Sequence, residues 1–348
     1  MTQTLEHEEV TIRRGHRSGL PLIIAVHSRA LGPAVGGCRL RRYGSPHEGL
    51  ADALRLSEAM TFKCAASGLD FGGGKSVIAL DEHTELTSEL RAAALADMGE
   101  FIASFEGSYR AGPDVGTTPD DMVVLRRSSP YVFCLPEEHG GTGTSSTPTA
   151  TGVLAALRAG AEHVFGSSSL TGRTVVVSGF GSVGSRIAAG LAADGARVLV
   201  SDVDTAKRET AVDAGFGWLA PHEVPATRAD VLVPAAIGGV LGPETVARLD
   251  VRLVVGPANN QLTADSTAEL LAKQNIVWVP DFVASAGGVV FTLGRECDGC
   301  TQEEAVRRVL GIGDTVRLLL DRSRTNGTTP LHEARALAER RLGPPAPA

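Results

Sequence analysis

Apolar and polar positions follow two rhythms along the chain, and the rhythm changes near residue 139. Before that point, residues 19–43 read as two short strands joined by Gly/Pro loops. Leu50, Ala53, Leu54 and Met60 fall at helical spacing, with Gly68 just beyond, so a helix is predicted over 47–67. "SVIAL", 76–80, reads as a strand, and 85–106 as an amphipathic helix. Thr118-Pro119-Asp120-Asp121 supplies an N-cap, a proline at the first helical position and acids in the first turn. The Gly/Ser/Thr stretch 139–152, "HGGTGTSSTPTATG", reads as a linker or hinge. Beyond it come short, wholly apolar runs: "TVVVSGFG", "ARVLVSD", "ADVLVPAA", "VRLVVGPA" and "IVWVPD". Strands apolar on both faces belong to parallel sheets covered by helices, so this half predicts a doubly wound α/β domain. Thr301 and Glu304 make a capping box that opens a long C-terminal helix, and the tail "GPPAPA" is expected to be disordered.

Composition narrows the class. A chain of 348 residues, 43% hydrophobic and 21% charged, predicts two globular domains. A net charge of −7 argues against a nucleic-acid footprint. The start "MTQTLEHEEV" lacks the apolar core of a signal peptide, and no apolar run approaches the roughly 20 residues that span a bilayer. Five cysteines, an odd number, point to a reducing cytoplasm. Cys297 and Cys300 form a lone CxxC without a second pair, so no metal is expected there.

"VVVSGFGSVG" carries Gly179-x-Gly181-x-x-Gly184 after an apolar strand and at the start of a helical segment. The next strand ends on Asp202. That is the full context of a dinucleotide-binding turn. Gly179 permits the tight turn, Gly181 lets the backbone approach a pyrophosphate, and Gly184 allows close helix–strand packing. Asp202 would accept the ribose hydroxyls and repel a 2′-phosphate, which favours NAD; Lys207 and Arg208, a few residues on, weaken the preference.

In the first half, Lys63 and Lys75 stand in apolar surroundings, Lys75 directly behind Gly72-Gly73-Gly74. Desolvation and mutual repulsion would lower an amine pKa and suit it to act as a base; snorkelling lysines with wet heads are the plain alternative. Glycines lacking side chains would let a small ligand lie against the backbone beside the amine. Asp114, in a Gly/Pro-bounded loop, is a carboxylate able to exchange protons with such an amine, or else a turn aspartate.

"LGPAVGGCR", "AMTFKCAASGLDFGGGKSVI", "GPDVGTTPDDM", "GFGSVG", "PANNQL" and "DFVASAGGVV" together resemble the amino-acid dehydrogenases for leucine, valine and phenylalanine, within the wider glutamate dehydrogenase superfamily. The resemblance runs in order from about residue 20 to about 300. It implies a two-domain α/β protein with a cleft between the domains: a substrate and oligomerisation domain over 1–138, a Rossmann-type NAD-binding domain over 139–327, and a terminal helix from about 328 packing back. It implies reversible oxidative deamination of an L-amino acid to a 2-oxo acid and ammonia by a homo-oligomer.

On the matching positions, Lys63 would bind the substrate carboxylate, helped by the Gly36-Gly37 backbone, and Pro113 would border the substrate. Lys75 would activate water, and Asp114 would exchange protons with the amino group. Asn259 and Asn260 match the family's asparagine near substrate and nicotinamide. Ser145 and Thr149 match hinge residues that touch the cofactor. Phe180, Ser182, Val183, Ala235, Ala236 and Ile237 join the glycines and Asp202 around it. The pocket would be lined by Met60, Val283, Ala286 and Val290, all apolar, which excludes glutamate. Ser285 stands where the family often has asparagine. "GPDV" and Leu293–Glu296 look more like the phenylalanine enzymes; a branched-chain enzyme, or a weakly active NAD-binding homologue in a biosynthetic pathway, are the alternatives.

Overall fold

The computed structural model describes residues 6–343; the "GPPAPA" tail lies, but for its first residue, outside them. The chain forms two compact units, with a sheet in each. One unit runs to Thr144 and takes back Thr292–Gly299 and the chain from Leu337; the other is Ser145–Phe291 with Cys300–Ala336. The expected boundaries at 138/139 and about 327/328 are therefore replaced by four crossings. Two polar anchors hold the returning segments in the first unit. The Glu296 carboxylate accepts from Cys134 N at 2.9 Å, Thr142 N at 2.8 Å and Thr142 Oγ1 at 2.6 Å. Arg341 donates to the carbonyls of Ala65 and Leu69, each at 3.0 Å.

In the first unit the strands are β1 (Glu9–Arg14), β2 (Pro21–Ser28), β3 (Ala34–Arg42), β4 (Gly72–Leu80) and β5 (Tyr109–Pro113). Their order is β1-β2-β4-β3-β5, with β4 antiparallel to β2 and β3 parallel to both β4 and β5. Helices α1 (Pro46–Ala66), α2 (Ser88–Ala103) and α3 (Pro119–Arg126) complete it. α1 covers one face through Ala53, Leu50 and Leu54 against Ile23, Val77 and Ala79. The other face packs Ile24, Ile78, Met98, Phe101 and Met122. α3 opens on the predicted Thr118 N-cap, which Asp121 completes as a capping box. β1, a polar edge strand that the sequence pattern did not signal, pairs along its whole length with Pro21–Val26 of β2.

The second unit holds α4 (Ser146–Phe165), β6 (Thr174–Ser178), α5 (Ser182–Ala193), β7 (Arg197–Ser201), α6 (Lys207–Asp213), β8 (Gly217–Trp218), β9 (Val231–Pro234), α7 (Pro243–Val246), β10 (Leu253–Val254), α8 (Ser266–Lys273), β11 (Val277–Trp278), α9 (Asp281–Ala284), the first half of α10 (Gly287–Glu296), α11 (Gln302–Leu310), α12 (Ile312–Asn326) and the first half of α13 (Pro330–Leu342). Its sheet is wholly parallel in the order β11-β10-β9-β6-β7-β8. The strand order reverses at β6, the first strand of the unit, as in doubly wound dinucleotide folds.

Three sequence expectations change. The strand expected over 76–80 begins at Gly72, so the glycines before Lys75 are the start of β4, which is buried along its whole length. The predicted linker 139–152 ends at Ser145, because the helix-forming run after it extends α4 back to Ser146 and Pro148 falls in the first turn, where its missing N–H costs nothing. The long C-terminal helix is three helices. Gly311, at the junction of α11 and α12, is the poorest helix former in that run.

Candidate functional site

Lys75 sits near the middle of β4 with its side chain 6% exposed, and Nζ lies 2.8 Å from Asp114 Oδ2. β3 runs between β4 and β5 in the sheet. The pair can meet across β3 because residue 37 is glycine. A Cβ there would lie 2.6 Å from Asp114 Cβ and 3.0 Å from Lys75 Nζ. Asp114 follows β5, and its N–H is held by Thr117 Oγ1 at 2.9 Å. Two residues beyond Gly37, Arg39 donates Nε to the same Asp114 Oδ2 at 2.7 Å.

These neighbours set the charges. Burial pushes the Lys75 amine below its ordinary value; Asp114 opposes that, and Arg39 adds to it. Burial alone would raise Asp114, but Lys75 and Arg39 outweigh it and hold the carboxyl down to about 2. The like charge named here is Arg39, which the sequence reading, with its pair of lysines, did not foresee.

The triple glycine has a packing answer. A side chain on Gly72 would enter the Ser28 backbone, one on Gly73 would strike Thr61 N and Oγ1 on α1, and one on Gly74 would lie 2.7 Å from the Tyr109 ring. The glycines are closed off by protein, so the expectation that they make room for a substrate is corrected: they let a helix, a strand and a tyrosine approach one strand. Gly36 is likewise filled by the Gly74 carbonyl. Pro113 ends β5 opposite Cys38. Gly112, before it, would clash with the Phe133 ring, a neighbour that sequence spacing did not reveal.

Met60 and Lys63 are half-buried, three residues apart on α1. In the second unit Asn259 and Asn260 are exposed and Asn260 has φ +53°. Their turn is braced by Gln261, whose N–H donates to Asp281 Oδ2 at 2.7 Å and whose side chain is gripped by Trp278, Gly256 and Ala258. Ser285 Oγ donates to Asn259 Oδ1 at 3.4 Å, so the unusual serine touches the expected site asparagine. Val283, Ala286 and Val290 are fully buried along α9 and α10. Gly288 packs on Ser145 and on Thr149, whose Oγ1 would stand 2.7 Å from an added Cβ.

The β6–α5 turn fits a dinucleotide. Gly179 has φ +118°, and a Cβ there would lie 2.6 Å from the Ala235–Ala236 backbone. Gly184 would clash with the Gly179 carbonyl, whereas around Gly181 there is open space. Gly181 caps α5 without a side-chain bond, so the first amides of the helix, at Ser182 and Val183, offer the positive end that binds phosphate. Phe180 N donates to Asp202 Oδ2 at 2.8 Å, and Lys207 Nζ reaches the same oxygen at 2.9 Å. Ala236 and Ile237 are exposed after β9. Among the described residues, only His16, Asp97 and Glu100 cluster like metal ligands, and Asp97 is already taken by Arg17 and Ser18.

A parallel sheet in this order, with an open glycine turn at a helix N-terminus and an acid after the next strand, defines a dinucleotide-binding unit. The other unit holds a buried amine–carboxylate pair. Comparison with known proteins specifies the combination. A family model described as Glu/Leu/Phe/Val dehydrogenase, dimerisation domain, matches residues 6–130, and the Glutamate/Leucine/Phenylalanine/Valine dehydrogenase model matches 204–294. The phenylalanine dehydrogenase of Caldalkalibacillus thermarum is 38% identical over 98% of this chain and 92% of its own length. The leucine dehydrogenase of Bacillus cereus is 35% identical over 97% and 91%. The crystal structure of L-tryptophan dehydrogenase from Nostoc punctiforme superposes with a TM-score of 0.82 at 33% identity, covering 97% of this chain and 96% of that one. The chain belongs to the Glu/Leu/Phe/Val dehydrogenase family and is an L-amino-acid dehydrogenase, an oxidoreductase dependent on a dinucleotide.

Proposed function

We propose that the enzyme catalyses reversible, NAD-dependent oxidative deamination of an apolar L-amino acid, L-phenylalanine foremost, to the 2-oxo acid and ammonia. The buried Lys75–Asp114 pair carries the reading, because this reaction must move protons at both a water and an amine. The glycine turn and Asp202 would hold NAD, which would supply the acceptor for the hydride of the substrate Cα. Lys63 holds the substrate carboxylate with the Gly36-Gly37 backbone, and Asn259 and Asn260 orient the reacting centre. Lys75, neutral, takes a proton from the water that attacks the iminium carbon, and Asp114, ionised, takes a proton from the substrate ammonium and returns it to the departing ammonia. Ser145, Thr149 and the residues around Gly181 hold the cofactor, and Asp202 selects NAD by charge.

Met60, Val283, Ala286 and Val290 offer no partner for a distal carboxylate. A branched-chain substrate is the second reading, favoured by leucine dehydrogenases that match at nearly full length. Selectivity between apolar side chains is worth only about 1–3 kcal/mol per group, so both substrate types fall within reach. The match to a dimerisation-domain model supports a homo-oligomer, and five free cysteines support a cytoplasmic setting. None of the described helices is long and apolar enough to cross a membrane.

The test is a panel of L-amino acids assayed with NAD and with NADP. Highest kcat/KM on L-phenylalanine with NAD is the expected result. Higher rates on L-leucine or L-valine would move the reading to the branched-chain enzymes. Higher rates on L-glutamate would overturn the apolar assignment.

A further inference from the structure

Arg39 belongs to none of the site roles assigned above, yet it touches the centre of the site. Its guanidinium side chain is 11% exposed and forks between two carboxylates: Nε meets Asp114 Oδ2 and Nη1 meets Asp52 Oδ2, each at 2.7 Å. Asp52, on α1, is itself fixed by Tyr43 Oη at 2.9 Å and Arg55 Nη2 at 2.6 Å. A continuous chain of charge-assisted bonds therefore runs from helix α1 through Arg39 to Asp114 and ends on Lys75. Such bonds are about twice as strong as neutral ones and directional, and only a guanidinium presents two rigidly related donors to two separate acids.

We propose that Arg39 is a positioning residue for the proton-transfer pair, clamped by Asp52 so that it holds Asp114 beside Lys75 and biases how the pair shares protons. The proposal rests on the roles given above to Lys75 and Asp114. Its geometry is specific. Arg39 and Lys75 both bind Oδ2, so the clamp and the amine meet on one oxygen of the carboxylate. Its electrostatics have a definite sign. The charged and titratable groups around the pair include Arg39 and the buried Cys38 on β3, Tyr43 just after it, the buried Tyr109 on β5, Asp121 on α3, and Asp52 and Arg55 on α1, with Lys63 farther along that helix. Arg39 repels a proton on Lys75 and shares the negative charge of Asp114. Without it, Asp114 pairs with Lys75 alone. Both changes hold the proton on the lysine.

Arg39→Gln and Arg39→Lys test the proposal, each first checked for folding by circular dichroism and thermal melting. Two titrations are read: the pH dependence of deamination kcat/KM, and the pH dependence of Lys75 acetylation by acetic anhydride, followed by peptide mass analysis. In Arg39→Gln both should move to higher pH by about one unit, which lowers kcat/KM below the transition about tenfold. In Arg39→Lys, which keeps the charge but reaches one acid at a time, the titrations should stay near wild type while kcat falls and KM changes little. A folded Arg39→Gln enzyme with both titrations and kcat at wild-type values would overturn the proposal. If the wild type deaminates no apolar amino acid, the functional reading fails, and the acetylation profile alone still decides whether Arg39 sets the protonation of Lys75.

Discussion

Lys75 and Asp114 form their 2.8 Å ion pair across an intervening strand, and Gly37 is the gap that lets them meet. One methyl group at residue 37 would stand against both partners. The site thus depends on an absent side chain as much as on the two that are present. Gly37→Ala should force the pair apart, and kcat should fall about 100-fold, the scale of losing a positioned acid or base. Steady-state kinetics beside a thermal melt checks this; an active, unperturbed Gly37→Ala enzyme would show that the pair tolerates the methyl group.

Lys75→Ala should lower kcat at least ~100-fold with the fold retained. In the proposed mechanism deamination needs the neutral amine, and burial lowers its pKa. The kcat/KM profile should therefore rise with pH through a value below the roughly 10.4 of a free lysine. Asp114→Asn removes the partner that favours the charged amine. By acetylation rate, Lys75 should then titrate at lower pH than in the wild type, the direction opposite to that expected for Arg39→Gln.

Lys63→Ala should behave differently from Lys75→Ala. A carboxylate clamp acts in the ground state as well as the transition state, so KM should rise more than kcat falls. A kcat loss with KM unchanged would remove Lys63 from the carboxylate.

Gly73→Ala should destabilise the protein rather than block a substrate, because the added methyl meets the Thr61 backbone on α1. Overpacking of this kind costs about 1–3 kcal/mol, so Tm should fall by several degrees. The folded fraction should keep its KM for the amino acid. A selective rise in KM with Tm unchanged would restore the substrate-side role for the glycines.

Asp202→Ser should narrow the preference for NAD over NADP. The change removes the repulsive carboxylate and frees Lys207, now 2.9 Å from it, to face a 2′-phosphate. The ratio of kcat/KM values for the two cofactors is the readout. A wild-type enzyme that prefers NADP would refute the assignment of Asp202 to the ribose.

Much of this protein was legible in one dimension, for local reasons. The apolar runs from "TVVVSGFG" onward, the Thr118 N-cap, the Thr301 capping box and the spacing of Gly179, Gly181 and Gly184 are rules of the backbone and its nearest neighbours, and they appear where the residues predict. β8 escaped because glycines at 215 and 217 break up the apolar positions around it, whereas the equally short β10 and β11 lie within longer apolar runs, and β1 because a polar edge strand resembles a loop until its partner is known. Tertiary structure decided what long-range contact decides. The three glycines before Lys75 look the same in sequence whether they face a ligand or a helix; the approach of α1 and Tyr109 settles that they face protein. Arg39 reads as an ordinary surface cation until the register of β3 with β4 and β5 and the packing of α1 set it between Asp114 and Asp52. Charge and shape at the site are sums over strands distant in the chain, so the residue types were visible early and their mutual geometry only after folding.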